Sequence, residues 1–177
     1  MSRIGKQTVT IPAGVEVAVN GSTVSVKGPQ GSLERTFRDE VEIKVDGSEI
    51  NFAPKSDSRF AQAMWGTVAS HVANMVTGVT EKFSKKMIVD GVGYRAEVKG
   101  KQLAMALGFS HPVEMDIPEG LEVTVEKNEI TVTGVDKELV GLFSNQVRSK
   151  KKPEPYKQKG IHYEGEKLKK KESKKAA

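Results

Sequence analysis

The sequence predicts an α+β protein: a tandem duplication of a small antiparallel sheet packed by one helix, with an extended basic C-terminal tail. Three observations carry that expectation. Residues 11–28 (IPAGVEVAVNGSTVSVKG) and 117–134 (IPEGLEVTVEKNEITVTG) match without gaps at an offset of 106, with 8 of 18 positions identical. Both blocks alternate apolar and polar residues, the period of strands with one buried face, whereas 59–76 and 137–149 carry apolar residues at helical spacing. The third is charge: residues 148–177 hold 12 Lys or Arg against 4 Glu, a net +8, while the rest of the chain holds 16 against 19, a net −3.

In chain order, Val15, Val17 and Val19 followed by Val24 and Val26 mark a first hairpin, with Asn20-Gly21 at its turn. Strands are expected over 32–37, 41–45 and 49–52, the last two joined by Asp46-Gly47-Ser48. Ser56-Asp57-Ser58 offers side-chain oxygens suited to cap a helix over about 59–76. Phe60, Met64, Trp65, Val68, Val72, Met75 and Val76 give that helix one apolar face, and Gly78 suits its stop. A second copy begins after a boundary near 80–85. Strands are expected over 86–89, 94–98, 102–106 and 113–116, with Gly100-Lys101 in a turn. The shared hairpin follows, with Glu126-Lys127-Asn128-Glu129 as a longer polar turn. A shorter helix over about 137–149, capped by Asp136, buries Leu139, Val140, Phe143 and Val147. Domains are therefore expected over 1–81 and 82–152, with a basic extension over 153–177.

At 177 residues the chain is long enough to bury a real core. It has no cysteine, so disulfides and thiolate metal sites are excluded. Its apolar runs fall short of the roughly 18 residues that a membrane span requires, and MSRIGKQ lacks the apolar segment of a signal peptide. The expected compartment is the cytoplasm.

Enzyme chemistry finds little support. His71, His111 and His162 lie far apart in sequence and in no metal-ligand spacing, and no nucleophile elbow, phosphate loop or carboxylate pair emerges. Asp90-Gly91-Val92-Gly93-Tyr94-Arg95 begins like a dinucleotide fingerprint, but its third glycine is missing and a strand follows. No cofactor, metal or small-molecule substrate is expected. The same run makes sense as a contact loop, with close-approaching backbone, a ring and a guanidinium; a tight strand entry would look the same. Ser110-His111-Pro112 reads as a turn.

The stretch 148–163 (RSKKKPEPYKQKGIHY) alternates cations and rings on a chain stiffened by Pro153 and Pro155. Such a segment suits a surface better than a core, with lysines aimed at phosphates and tyrosines at bases, as irregular or single-stranded RNA requires. A solvated basic linker is the plain alternative, and an adaptor whose tail binds acidic proteins is the rival function. Lys167 to Lys175 is lysine-rich enough to stay disordered until bound.

These residues together bear a likeness to one family. SRIGK, IPAGV, the duplicated hairpin, GVGYRA, the SHP turn and KPEPYKQKGIHY occur in the order seen in the sixth protein of the bacterial-type large ribosomal subunit, which the chain resembles from Ser2 to about Lys171. The resemblance implies two similar α+β domains and a non-enzymatic role in the cytoplasmic ribosome. It implies binding to large-subunit ribosomal RNA, mostly through the C-terminal domain and tail, beside neighbouring ribosomal proteins and near the stalk base, where translational GTPases dock. Carried over by motif, the RNA contacts are Gly91, Gly93, Tyr94 and Arg95, then Lys99 and Lys101, then Ser110 and His111. The tail adds Lys150, Lys151, Lys152, Pro153, Tyr156, Lys157, Lys159 and Gly160. Two positions depart from the family's PYKGKGIRY: Gln158 stands at its first glycine and His162 at its arginine. A glycine there serves a positive φ or a close approach, so Gln158 implies ordinary backbone geometry or a shifted loop.

Overall fold

Alternation becomes strands wherever one face finds a helix to pack on. The computed structural model describes residues 4–172, and the chain divides into two units. The first runs through Lys82 and takes in Val135–Lys137; the second comprises Phe83–Gly134 and resumes at Glu138.

In the first unit the elements are β1 (Val9–Thr10), β2 (Glu16–Asn20), β3 (Thr23–Gly28), β4 (Gly31–Thr36), β5 (Val41–Asp46), β6 (Glu49–Pro54) and α1 (Arg59–Thr80). The strands form two antiparallel three-stranded sheets, β2-β3-β4 and β1-β6-β5. Helix α1 lies against both, so Val68 and Val72 meet Val24, Val26 and Ile50 in one core. Ser58 accepts a hydrogen bond from the Ala61 amide at 3.1 Å, the cap expected from its hydroxyl. Trp65 donates its indole N–H to the Phe52 carbonyl at 2.8 Å, and its ring covers Gly5 so closely that a Cβ there would collide with it.

Gly78 does not stop α1. It is buried inside the helix between Val76 and Val79, which extend the apolar face by a further turn. Burial of that face outweighs the roughly 1 kcal/mol that a mid-helix glycine costs.

The second unit contains β7 (Phe83–Asp90), β8 (Arg95–Lys99), β9 (Gln102–Ala106), β10 (Val113–Asp116), β11 (Leu121–Glu126), β12 (Glu129–Gly134), α2 (Lys137–Lys150) and β13 (Gly160–Tyr163). Its sheets are β10-β9-β8 and β11-β12-β7-β13. Val140, Phe143 and Val147 of α2 pack on Met87, Ile130 and Ile161. Neither α1 nor α2 is long and apolar enough to cross a membrane.

The architecture repeats in a different register from the sequence block. Glu16, Val41 and Glu49 open β2, β5 and β6, and Arg95, Leu121 and Glu129 open β8, β11 and β12, at offsets of 79 or 80. The sheet orders agree, with β7 standing where β1 stands. The block repeated at 106 therefore pairs the first hairpin of one unit with the second hairpin of the other. What it shares is local chemistry. Gly14 and Gly120 have φ of +88° and +87°, and the amides of Val15 and Leu121 donate to the carbonyls of Pro12 and Pro118 at 3.2 and 3.3 Å. At the far end of each block, Gly28 and Gly134 lie close against Val79 and Val140 of the helices. Ile-Pro-x-Gly is a way into a hairpin, and this fold uses it twice.

The turn over 126–129 is also no longer than the others. Glu126 pairs with Glu129 across two loop residues, and Lys127 takes φ of +55°, close to the +62° of Gly47, its counterpart in the other unit.

Strand β13 corrects the expectation that 148–163 avoids the core. Gly160–Tyr163 forms an edge strand paired antiparallel with β7, Gly160 opposite Asp90 and Tyr163 opposite Met87. Ile161 is fully buried. Only part of the expected basic extension is thus a tail. Residues 164–172 carry no regular element, and Ser173, Lys174 and Lys175 of the lysine-rich end lie outside the described residues.

Candidate nucleic-acid interface

The loop between β7 and β8 is shaped by its glycines. The Tyr94 amide donates to the Gly91 carbonyl at 3.2 Å, which closes a tight turn with Gly93 at φ +77°. The ring of Tyr94 then lies over Gly91, where a Cβ would collide with it, and within 3.1 Å of a Cβ placed on Gly108. Tyr94 is thus half-buried against two glycines, and it seats the 91–93 loop and the 108–111 turn side by side. Arg95, Ser110 and His111 are exposed next to it, the His111 imidazole 3.1 Å from the Pro112 carbonyl.

Beyond α2 the basic segment is folded against the same region. The Lys151 carbonyl accepts the Ile161 amide at 2.8 Å, and the Glu154 amide donates to the Lys159 carbonyl at 3.0 Å, so 151–161 closes on itself as a loop. Gly160, at φ +147°, is pressed against Pro153: a Cβ would lie 2.6 Å from its nitrogen and Cα. That glycine is buried and its shape is explained by the chain's own packing. Lys150, Lys152 and Lys157 are exposed, Lys151 and Lys159 half-buried, and Pro153 half-buried. The Lys151 ammonium reaches over the Phe109 ring, 4.5 Å from its centre, which ties the segment to the 108–111 turn. Tyr156 stands out from the loop, 54% exposed.

Arg148, which opens the stretch, is already engaged. Its guanidinium donates twice to Glu166, Nε to Oε2 at 3.2 Å and Nη2 to Oε1 at 2.5 Å, and the Tyr163 amide donates to the same carboxylate at 3.0 Å. The Arg148 hydrogen bond chiefly, with that amide second, holds the Glu166 carboxyl below its ordinary pKa. Burial above all pushes the Tyr163 phenol up. The arginine orients the chain that follows and is not a free cation for RNA.

The two departures from the family motif resolve differently. Gln158 takes the left-handed backbone that glycine would supply, at φ +60°, so its geometry is not the ordinary one. Its amide donates to the Glu154 carbonyl at 3.0 Å, and its side chain reaches the Leu168 carbonyl at 3.3 Å, while the Lys171 amide donates to Pro155 at 2.8 Å. The far end of the chain folds back over the loop through these contacts. His162 has its Nδ1 buried with no hydrogen-bond partner, which removes that nitrogen as a phosphate contact. Replacing Gln158 with glycine relieves a left-handed cost of about 1–2 kcal/mol but adds about 0.5–1 kcal/mol of backbone entropy. Overall stability should therefore change by no more than about 1.5 kcal/mol in a denaturant titration. Trypsin cleavage after Lys167 or Lys169 should nevertheless speed up, because the Leu168 tether is gone; an unchanged cleavage rate would show that the side chain holds nothing.

Lys99 and Lys101 lie apart from this cluster. They flank the far turn of the β8–β9 hairpin, and Arg95 and Lys99 sit at opposite ends of β8, about 13 Å apart at strand rise. Lys99 pairs with Glu97 at 2.6 Å, and the hydrogen bond it donates to that carboxylate raises its pKa; Lys101 approaches Glu119 at 3.6 Å. Two residues that sequence reasoning passed over belong to the cluster instead. Val92 and Phe109 are 87% and 47% exposed on the two loops seated by Tyr94. Their signal was present: both are apolar residues outside the strand alternation, next to positions already singled out. Among the described residues, no group of three or more His, Cys, Asp or Glu is placed to hold a metal ion.

Comparison with known proteins agrees with this division of the chain. A family model described as Ribosomal protein L6 matches residues 11–82 and again 91–164. The two matches begin 80 residues apart, the register of the strands and not of the 106-residue block. The chain is similar to large ribosomal subunit protein uL6 of Opitutus terrae, 49% identical over 178 residues and the full length of both proteins. It is also similar to the proteins so named in Caulobacter vibrioides, at 49%, and in a Bradyrhizobium species, at 47%, each over 176 residues and 99% of both chains. With both units matched and nearly half of all positions shared along the whole length, the chain belongs to the ribosomal protein L6 family.

Proposed function

We propose that this chain is a structural protein of the large ribosomal subunit, in the cytoplasm, that docks on large-subunit ribosomal RNA through its second unit and basic segment. Neighbouring ribosomal proteins are its other partners, and its position is near the stalk base, where translational GTPases act. Its family consists of ribosomal proteins and not of enzymes. The observation that best supports RNA docking is the meeting, on one unit, of the 91–95 loop, the 108–111 turn and the 150–159 loop. Cations set the position through phosphates, while glycine turns let the backbone come close and exposed rings meet unstacked bases. Lys99 and Lys101 form a separate, outlying contact.

The test is sedimentation of a lysate on a sucrose gradient after ultraviolet crosslinking, with crosslinked peptides mapped. Co-sedimentation with the large subunit and RNA crosslinks within 91–95 and 150–163 are expected. A chain that stays in the soluble fraction without RNA overturns the proposal, and one crosslinked there to acidic proteins replaces it with the adaptor reading.

A further inference from the structure

We propose that Phe109, helped by Val92 on the other loop seated by Tyr94, is a stacking site for one unpaired nucleobase, and that Lys151 holds the phosphate of the same nucleotide. The inference rests on the RNA-binding reading above and adds to it two residues and a class of ligand.

A single exposed apolar side chain needs no explanation on a protein surface. Here two large ones stand on adjacent loops, Val92 at 87% and Phe109 at 47% exposure, and both loops are held by the same ring. Tyr94 packs over Gly91 on one side and close to Gly108 on the other, which fixes where Val92 and Phe109 are presented. The site is therefore formed before any ligand arrives, and binding need not order these loops.

The second observation is the ammonium above the ring. Lys151 lies 4.5 Å from the centre of Phe109, while its carbonyl is bound by the Ile161 amide, so the base of this side chain is anchored to the sheet. A cation over one face of a half-exposed ring suits a ligand that has both a flat face and a negative charge within one residue's reach. Exposed Lys150, Lys152 and Arg95 extend the positive field around it. An acidic protein segment would satisfy the lysines but leave Val92 and Phe109 wet. A base-paired duplex would offer phosphates but no free base face. An unpaired nucleotide uses both halves of the site.

The experiment measures binding of the full chain to protein-free large-subunit ribosomal RNA across a range of salt. Phe109→Leu should weaken binding about 5- to 150-fold, the range seen for losing one stacked base, with the salt slope unchanged because no charge is lost. Phe109→Trp should restore affinity, and crosslinking through that indole should fall on a nucleotide that chemical probing finds unpaired. Lys151→Gln should instead flatten the slope by about 0.7–0.9. Val92→Ser, at a side chain that is almost wholly exposed, should give a smaller loss of the same kind without disturbing the fold. If Phe109→Leu and Val92→Ser both bind like the parent, the stacking site is wrong while RNA docking stands. If they bind RNA normally but fail to enter the subunit beside a neighbouring protein, the patch is a protein contact and the inference falls. A parent chain that does not bind the RNA at all overturns the underlying reading.

Discussion

Gly160→Ala should destabilise the second unit by roughly 2–5 kcal/mol, the largest effect expected of any single methyl group in the basic segment. Two independent costs meet at this position. At φ +147° an L-residue is strained whatever surrounds it, and the added Cβ would lie 2.6 Å from the Pro153 backbone, which cannot turn aside as a side chain would. Gly93 isolates the first cost: it has φ of +77° but open space around its missing Cβ, so Gly93→Ala should cost only about 1 kcal/mol. At Gly91, by contrast, the obstacle is the side-chain ring of Tyr94 and not backbone. The aromatic residues separate the units optically. The single tryptophan, Trp65, belongs to the first, and all three tyrosines, Tyr94, Tyr156 and Tyr163, belong to the second. In a denaturant titration of Gly160→Ala, tyrosine absorbance should lose its native signal at lower denaturant than in the parent. A tyrosine midpoint equal to the parent's would mean that the loop yields at Pro153, and the packing account of Gly160 would be wrong.

The parts of this fold that were legible in the sequence are those where neighbours in sequence are also neighbours in space. Val17 and Val26, or Val123 and Val132, face each other across a two-residue turn, so alternation alone exposes the hairpins. Strand β13 lacks that advantage. Its partner β7 ends at Asp90, about 70 residues earlier, and within Gly160–Tyr163 the one aliphatic side chain is that of Ile161. Prolines, lysines and glycine around it describe the loop that delivers the strand, and they hid the strand itself. The register of the duplication failed for a related reason. Pro12 and Pro118 open similar turns, so identity concentrated at 106, whereas β2 and β8 share architecture with little sequence in common. Gly78 was misread because its local preference is for a helix end, and burial between Val76 and Val79 overrode it. At the candidate site, charge and ring content singled out the 148–163 segment, part of which the structure brings against the 108–111 turn. Which residues converge there depends on Tyr94 packing against Gly108 and on Lys151 reaching Phe109, contacts between residues 14 and 42 positions apart.

Replacing Lys150, Lys151 and Lys152 together with alanine should reduce affinity for large-subunit ribosomal RNA about a hundredfold at 0.15 M salt. The magnitude follows from counterion release. Each phosphate contact contributes about 0.7–0.9 to the slope of log affinity against log salt, so three lost contacts should flatten it by roughly 2–3 units. At 0.15 M each such contact is worth about four- to sixfold, and the three multiply. Lys150 and Lys152 are exposed at the junction of α2 and the loop, and neither is in any ion pair identified among the described residues. Lys99 and Lys101 provide the contrast. They already face Glu97 and Glu119, and exposed pairs of this kind contribute about 0–1 kcal/mol. Exchanging a carboxylate for a phosphate gains less than neutralising a bare phosphate, so Lys99→Ala with Lys101→Ala should flatten the slope by under about 1 unit. The separation of the two clusters along β8 makes the comparison decisive. Equal losses from both sets would mean that RNA runs the whole length of the hairpin. A large loss confined to the Lys150 set would put the footprint at the end of the second unit where the loops meet, with Phe109 and Tyr156 inside it and the β8–β9 turn outside.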